Sequence, residues 1–233
     1  MEEARAIGNE MLDLMDRADA LCATHPELRL DRWLEAAESF GTTEDEKHYY
    51  RHNVFQLSLF ADALGYDGHF ARAFPFADGA YGNGTISAKP VLKSYSVPLP
   101  KLEGSEPRSI AVIETEEMVF ASTHLDFKAS SKEQAVVLND WFASHFSGYA
   151  KPVILCGDMN SRPESDTIKE LEKCWTRLSG TGFTYSVEDP HGCIDYIFHL
   201  NGSAPVTVVS ADVITSGVSE LSDHLPVKVT LTL

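Results

Sequence analysis

"ILCGDMNSRPES", residues 154–165, is an apolar run that stops at Gly157, presents Asp158 and Asn160, and passes into a Ser, Pro and acid cluster. Residues two apart on an extended segment project to the same side, so a carboxylate and a carboxamide can converge on one ligand where a buried strand ends. The same residue types also make an ordinary strand exit, because Gly, Asp, Asn and Ser satisfy a turning backbone. The choice depends on what the other strand ends carry.

Outward from this stretch the chain alternates short apolar strands with turns: "GTIS", "SYSVPL", "SIAVIET", "MVFASTHL", "PVILCGD", "CIDYIFHL", "VTVVSADVI" and "LPVKVTLTL". The pattern predicts two interrupting helices, over about 132–146 and 166–178, the second capped by Ser165. A further helix over "RHNVFQLSLFADALGY" puts Val54, Leu57, Phe60, Ala61 and Leu64 on its inner face and stops at Gly65. Strands that mostly return as hairpins and only sometimes cross through helices predict an α/β (α+β) fold of two mixed sheets packed face to face, with helices outside.

The first 40 residues differ. Ile7, Met11, Leu14, Met15, Ala18, Leu21 and Cys22 recur at spacings of three and four, and Leu30, Trp33, Leu34 and Ala37 repeat the stripe after a break at "THPE". The first 50 residues hold 13 acids and 5 bases, half of the net charge. This shift predicts a helical segment over 1–45 and one domain over 46–233.

With 233 residues, 43% of them hydrophobic and 23% charged, the chain can bury a substantial core. A formal net charge of -16 repels a phosphate backbone, which argues against nonspecific nucleic-acid binding through a basic surface, although a bound metal reverses the sign locally. No run of about 18 apolar residues is present to span a membrane. The acidic start "MEEARAIGNEM" lacks the pattern of a signal peptide, so the expected location is the cytoplasm, or outside the cell if a signal segment has been removed. Cys22, Cys156, Cys174 and Cys193 form no CxxC pair, so neither zinc nor a disulfide framework is indicated. Cys156 and Cys193 are expected as buried thiols.

Four strand ends carry polar groups that a pure core would not use: His124 in "STHLD", Asp158 and Asn160 in "GDMN", Asp195 in "CIDYIF", and Asp223 with His224 in "SDHLP". A carboxylate inside an apolar strand, such as Asp195, needs a partner to offset desolvation, and an imidazole can be that partner. Together these groups supply what metal-assisted phosphoester hydrolysis requires. Carboxylates hold a hard cation such as Mg2+ (or Mn2+), a His oriented by an Asp takes a proton from water, and a second His stabilises developing charge. No GxSxG elbow offers a serine nucleophile.

In this order and at these separations the segments resemble the endonuclease/exonuclease/phosphatase superfamily over about residues 50–233. "YGNGTIS", with Tyr81 and Asn83, and "EPRSIAVIE", with Arg108, look like its middle region. The resemblance implies a four-layer α/β/β/α sandwich with the site at the mouth between the sheets. It also implies that Asp158 and Asn160 position water and phosphate, that His224 is the base oriented by Asp195, and that Asp223 is a metal ligand. His124 would donate to a phosphoryl oxygen and Asn83 would contact substrate. Family members begin with a strand ending in Asn and another ending in Gln-Glu, whose Glu is the principal metal ligand. Neither is evident here; Glu44 lies at about the right distance before Gln56, but "AESFGTT" lacks the pattern of a buried strand.

Two functions follow as expectations. One is a hydrolase dependent on Mg2+ or Mn2+ that acts on a small phosphodiester, a phospholipid head group or nucleic acid. The other is a catalytically silent binding or scaffold domain of the same fold, lacking the metal-ligand Glu, with Ile7, Met11 and Leu14 contacting a partner.

Overall fold

The computed structural model of the chain describes residues 56–76, 79–218 and 222–233. The helices expected over 1–40, the boundary at 45, Glu44 and Val54 lie outside these residues. Chain order is α1 (Gln56–Leu64), β1 (Asp67–Phe76), β2 (Gly79–Ser87), β3 (Lys93–Leu99), β4 (Arg108–Glu114), β5 (Val119–His124), α2 (Ser131–Phe146), β6 (Val153–Asp158), α3 (Asp166–Leu171), β7 (Trp175–Arg177), β8 (Asp195–Leu200), β9 (Thr207–Val213) and β10 (Val227–Thr232).

The centre is a six-stranded sheet in the order β3-β4-β5-β6-β8-β7. All its pairings are antiparallel except β5 with β6. A parallel pair needs a crossover, and α2 supplies it. Ala135, Leu138, Phe142 and Phe146 of α2 pack with Val119, Ala121, Val153, Leu155 and Phe198 into one apolar core. β4 is buried at all its positions because both of its faces are covered.

The opposite face carries two antiparallel pairs, β1–β2 and β9–β10. β1 and β2 lie over β3, β4 and β5, β10 lies against β8, and α1 packs outside β1 and β2. The described layers are therefore helix, strand pairs, central sheet and helices, an α/β sandwich as the strand pattern predicted. No described helix is long and apolar enough to cross a membrane.

Three local expectations are corrected. The helix expected to run to residue 178 ends at Leu171, and Trp175–Arg177 instead pairs with Phe198–Leu200 as an edge strand. The indole of Trp175 is needed inside the core, where it meets the Phe142 ring edge-on and donates Nε1–H to Asn139 Oδ1 at 3.0 Å. β1 was not expected, because Arg72 and Pro75 break its apolar alternation; it forms by pairing with β2 across an irregularity between Arg72 and Phe74. On α1, Ala61 is buried but Phe60 and Leu64 are 60% and 56% exposed, so the covered face is narrower than the apolar stripe. The caps agree with the sequence: Ser165 Oγ accepts the Ile168 N–H, and Gly65 takes a left-handed φ of 66°. Cys156, Cys174 and Cys193 are free thiols; Cys193 is buried, and burial pushes the partly covered Cys156 thiol up to about 12.

Candidate active site

β5, β6 and the start of β8 meet at one rim of the central sheet, and their register places His124 opposite Asp158 and Asp158 opposite Asp195. Neighbouring strands lie ~4.8 Å apart, so three polar side chains form a row across three strands. His224 joins from the chain before β10. Its backbone is held by a bridge to Tyr185, by Val187 N–H donating to Asp223 O at 2.8 Å and by Leu225 N–H donating to Thr184 O at 2.7 Å.

The convergence of Asp158 and Asn160 is achieved by a turn rather than by continued strand. Asn160 has a φ of 48°, a left-handed conformation that Asn tolerates better than most residues, and its backbone N–H donates to Asp158 Oδ1 at 2.7 Å. The extended geometry expected for "GDMN" is thus replaced by a turn that still holds Asn160 next to Asp158. The Asn160 amide then turns back, with Nδ2 donating to Leu125 O at 2.9 Å and lying 2.9 Å from His124 Nε2. Its Oδ1 accepts no hydrogen bond from the described residues.

Asp158 Oδ2 lies between two imidazoles, 3.3 Å from His124 Nε2 and 3.9 Å from His224 Nε2. His224 Nδ1 donates to Asp195 Oδ2 at 2.8 Å, which in the neutral ring leaves the lone pair on Nε2, facing Asp158. Burial lowers the His224 pKa, but the Asp195 hydrogen bond and the charges of Asp195, Asp158 and Asp223 outweigh it, so the net shift is upward. Burial, aided by the positive charges of Arg108 and His224, takes His124 down to about 4. Asp158 is pushed up to about 6 by burial and by the Asp195 charge, against the Asn160 N–H and the charges of His224 and Arg108.

Neutral His124 has both ring nitrogens engaged. Nε2 accepts from Asn160, whose orientation is set by Leu125 O, and Nδ1 faces the Tyr81 hydroxyl at 2.8 Å. Arg108, buried with its Nη2 on Glu106 at 3.1 Å, donates Nη1–H to the same hydroxyl at 3.1 Å. Tyr81 and Arg108 thus stand beside the row, although neither stood among the residues assigned a role from sequence; their signal was "YGN" and "EPRS". Asn83 donates Nδ2–H to Ser109 O at 2.7 Å, tying β2 to β4. Asp223 is exposed and lies outside the Asp158, Asp195 and His224 group.

The ligand atoms of Asp158, Asp195 and His224 lie within 4.8 Å of one another. Asp195 Oδ2 is committed to His224, so the carboxylate best placed for a cation is Asp158. A carboxylate whose pKa is raised by burial and a neighbouring negative charge is relieved by a cation. The residues present fit a hard divalent ion. A cavity of about 360 Å³, lined by Phe120, Cys156, Ile197 and Leu225 among others, adjoins Asp195 and His224.

Comparison with known proteins agrees with this architecture. An endonuclease/exonuclease/phosphatase protein from Bacteroides vulgatus superposes with a TM-score of 0.61 at 21% identity, covering 77% of this chain and 81% of that one. A mannosyl-6-phosphatase from Bacteroides thetaiotaomicron gives 0.60 at 21% identity, with 76% and 81% covered. The human Nocturnin catalytic domain with bound sulfate gives 0.58 at 20% identity, with 78% of each chain covered. At such identities the likeness shows the fold. No curated protein matches the sequence significantly. The pattern of the Endonuclease/Exonuclease/phosphatase family, however, matches residues 7–224, starting well before residue 50. With nearly its whole length matched and its fold shared, the chain belongs to the endonuclease/exonuclease/phosphatase family.

Proposed function

We propose that the chain is a divalent-metal-dependent phosphoester hydrolase. The observation that carries this reading is the His224–Asp195 hydrogen bond of 2.8 Å with His224 Nε2 turned toward the Asp158 carboxylate. Such an imidazole is held in one tautomer and can take a proton from a water placed against Asp158. Asp158, with the Asn160 amide as a further donor, would hold a divalent ion, which would supply charge neutralisation at the phosphoryl oxygens. Asp223 could serve it as an outer carboxylate. His124 acts as a donor only with a proton on Nε2, so in this role the Asn160 amide must yield as substrate enters. Asn83 anchors β2, and with it Tyr81, at the edge of the phosphate position.

For substrate, a small phosphoester is favoured over a long polyanion, because a net charge of -16 gives no long-range attraction for nucleic acid. Solved structures of this fold include both a mannosyl-6-phosphatase and a D. rerio TDP2 complexed with single-strand DNA product. The test is hydrolysis of bis(p-nitrophenyl) phosphate across titrations of Mg2+ and Mn2+, with plasmid and single-stranded oligonucleotide in parallel. Metal-dependent turnover that drops at least ~100-fold in His224→Ala, with an unchanged thermal melt, is the expected result for loss of a general base. Turnover retained by His224→Ala removes the base assignment. No turnover with either metal selects the silent-domain reading, which the single uncommitted carboxylate in the described row favours.

A further inference from the structure

We propose that Thr184 is the positioning residue of the His224–Asp195 pair, a buried junction through which one residue sets the backbone on both sides of their hydrogen bond. Its effect on rate rests on the hydrolase reading above; its effect on the pair does not. Thr184 is 1% exposed. Its backbone N–H donates to Gly192 O at 2.7 Å and its carbonyl accepts the N–H of Leu225, the residue after His224, at 2.7 Å. The adjoining Tyr185 continues the clasp, with a bridge to His224 and its ring 4.9 Å from the imidazole.

The hydroxyl acts on the other partner. Thr184 Oγ1 accepts the N–H groups of Ile194 and Asp195, each at 3.3 Å, and donates to Gly192 O at 3.4 Å. A hydroxyl offers one donor and two acceptor sites, so this one is fully used. The reason for the arrangement lies at the sheet edge. β7 pairs with β8 only along Phe198–Leu200, and beyond it no strand among the described residues meets the β8 N–H groups on that side. Ser179 Oγ takes the Ile197 N–H at 3.1 Å, and Thr184 Oγ1 takes the Asp195 N–H. Two hydroxyls thus act as the acceptors there, and the second stands where the carboxylate that orients His224 leaves the backbone. Buried N–H groups without an acceptor move to find one, and movement of Asp195 breaks the 2.8 Å bond to His224.

Thr184→Val keeps the shape and removes all three hydroxyl bonds; Thr184→Ser keeps the bonds and removes the methyl group. The first readout needs no activity: with 15N-labelled histidine, the hydrogen-bonded Nδ1 proton of His224, assigned by its absence in His224→Gln, is followed by NMR at one fixed pH without metal. The expected result is a resonance present in wild type and in Thr184→Ser and lost to exchange broadening in Thr184→Val. The second readout is turnover of bis(p-nitrophenyl) phosphate, with kcat expected to fall ~10–100-fold in Thr184→Val, as for a catalytic group displaced by up to ~1 Å, while KM stays within about twofold. If Thr184→Val does not fold, Thr184→Cys, with its weak donor and acceptor sulfur, is expected to give an intermediate loss of the resonance. A resonance unchanged in Thr184→Val, or lost equally in the Ser and Val variants, overturns the proposal. Absence of turnover in wild type sinks the hydrolase reading alone, and the resonance still decides the role of Thr184.

Discussion

Asp158 concentrates the conflict between stability and function in one residue. Its carboxylate is 14% exposed, sits opposite Asp195 and titrates at about 6. A carboxylate whose folded pKa lies above its unfolded value binds the proton more tightly when folded, so its charge destabilises the native state fully above pH ~6 and progressively less as pH falls toward the ordinary value of 3.8. Asp158→Asn removes that cost while keeping an acceptor for the Asn160 N–H. The expected outcome is loss of turnover with a gain on the order of 2 kcal/mol at neutral pH, roughly 4–8 °C in Tm for a chain of this size. Calorimetry at pH 7.5 and at pH 4.5 checks the sign, because the gain should shrink at the lower pH. A melt unchanged at both would mean that the charge is already compensated in solution.

At the scale of the element, the site depends on how closely β6 approaches β5. Gly157 has a φ of 147°, and a Cβ built on it would stand 1.8 Å from Thr123 O. No side chain fits there without separating the two strands, and the separation would carry Asp158 away from His124. Gly157→Ala is therefore expected to destabilise by ~3 kcal/mol or more, in the range reserved for backbone strain and core disruption, with the loss read from the urea midpoint. A midpoint within experimental scatter of wild type would show that the β5–β6 ladder can relax around the methyl group.

Across the whole molecule, the response to acid is spread over both rims of the central sheet. Far from the row, buried Glu114 accepts from Tyr149 Oη at 2.7 Å and Lys151 Nζ at 2.9 Å, with Lys93 Nζ at 3.4 Å. Burial raises its pKa, but the Tyr149, Lys151 and Lys93 bonds outweigh it, and the group titrates below the ordinary 4.5. A depressed carboxylate contributes stability that is present above its unfolded pKa and lost as pH falls through the folded one. As pH drops from about 6, protonation of Asp158 adds stability while His124, held down to about 4 in the folded chain, takes it away, and below 4.5 the protonation of Glu114 adds to the loss. Glu114→Gln should flatten the fall and leave the earlier limb in place; an acid limb unchanged by the substitution would assign it to other carboxylates.

Much of this architecture was legible before any coordinates. The alternation of apolar runs and turns determined an α/β sandwich, and the polar residues ending those runs, His124, Asp158, Asn160, Asp195 and His224, stood out because a polar group next to buried strand is costly unless it meets a partner. Local chemistry also determined Ser165 as a cap and Gly65 as a stop. What the sequence could not contain was the identity of partners that arrive through register. Trp175 left a helical pattern because the core had room for an indole beside Phe142 and Asn139. Tyr81 and Arg108 entered the row through pairings across β2, β4 and β5, and the same contacts engaged both nitrogens of His124. Hydrophobic periodicity is written residue by residue along the chain, whereas the bonds of His224 to Asp195, of His124 to Asn160 and Tyr81, and of Arg108 to Tyr81 join groups more than 20 residues apart, and only the closed tertiary structure brings those into reach.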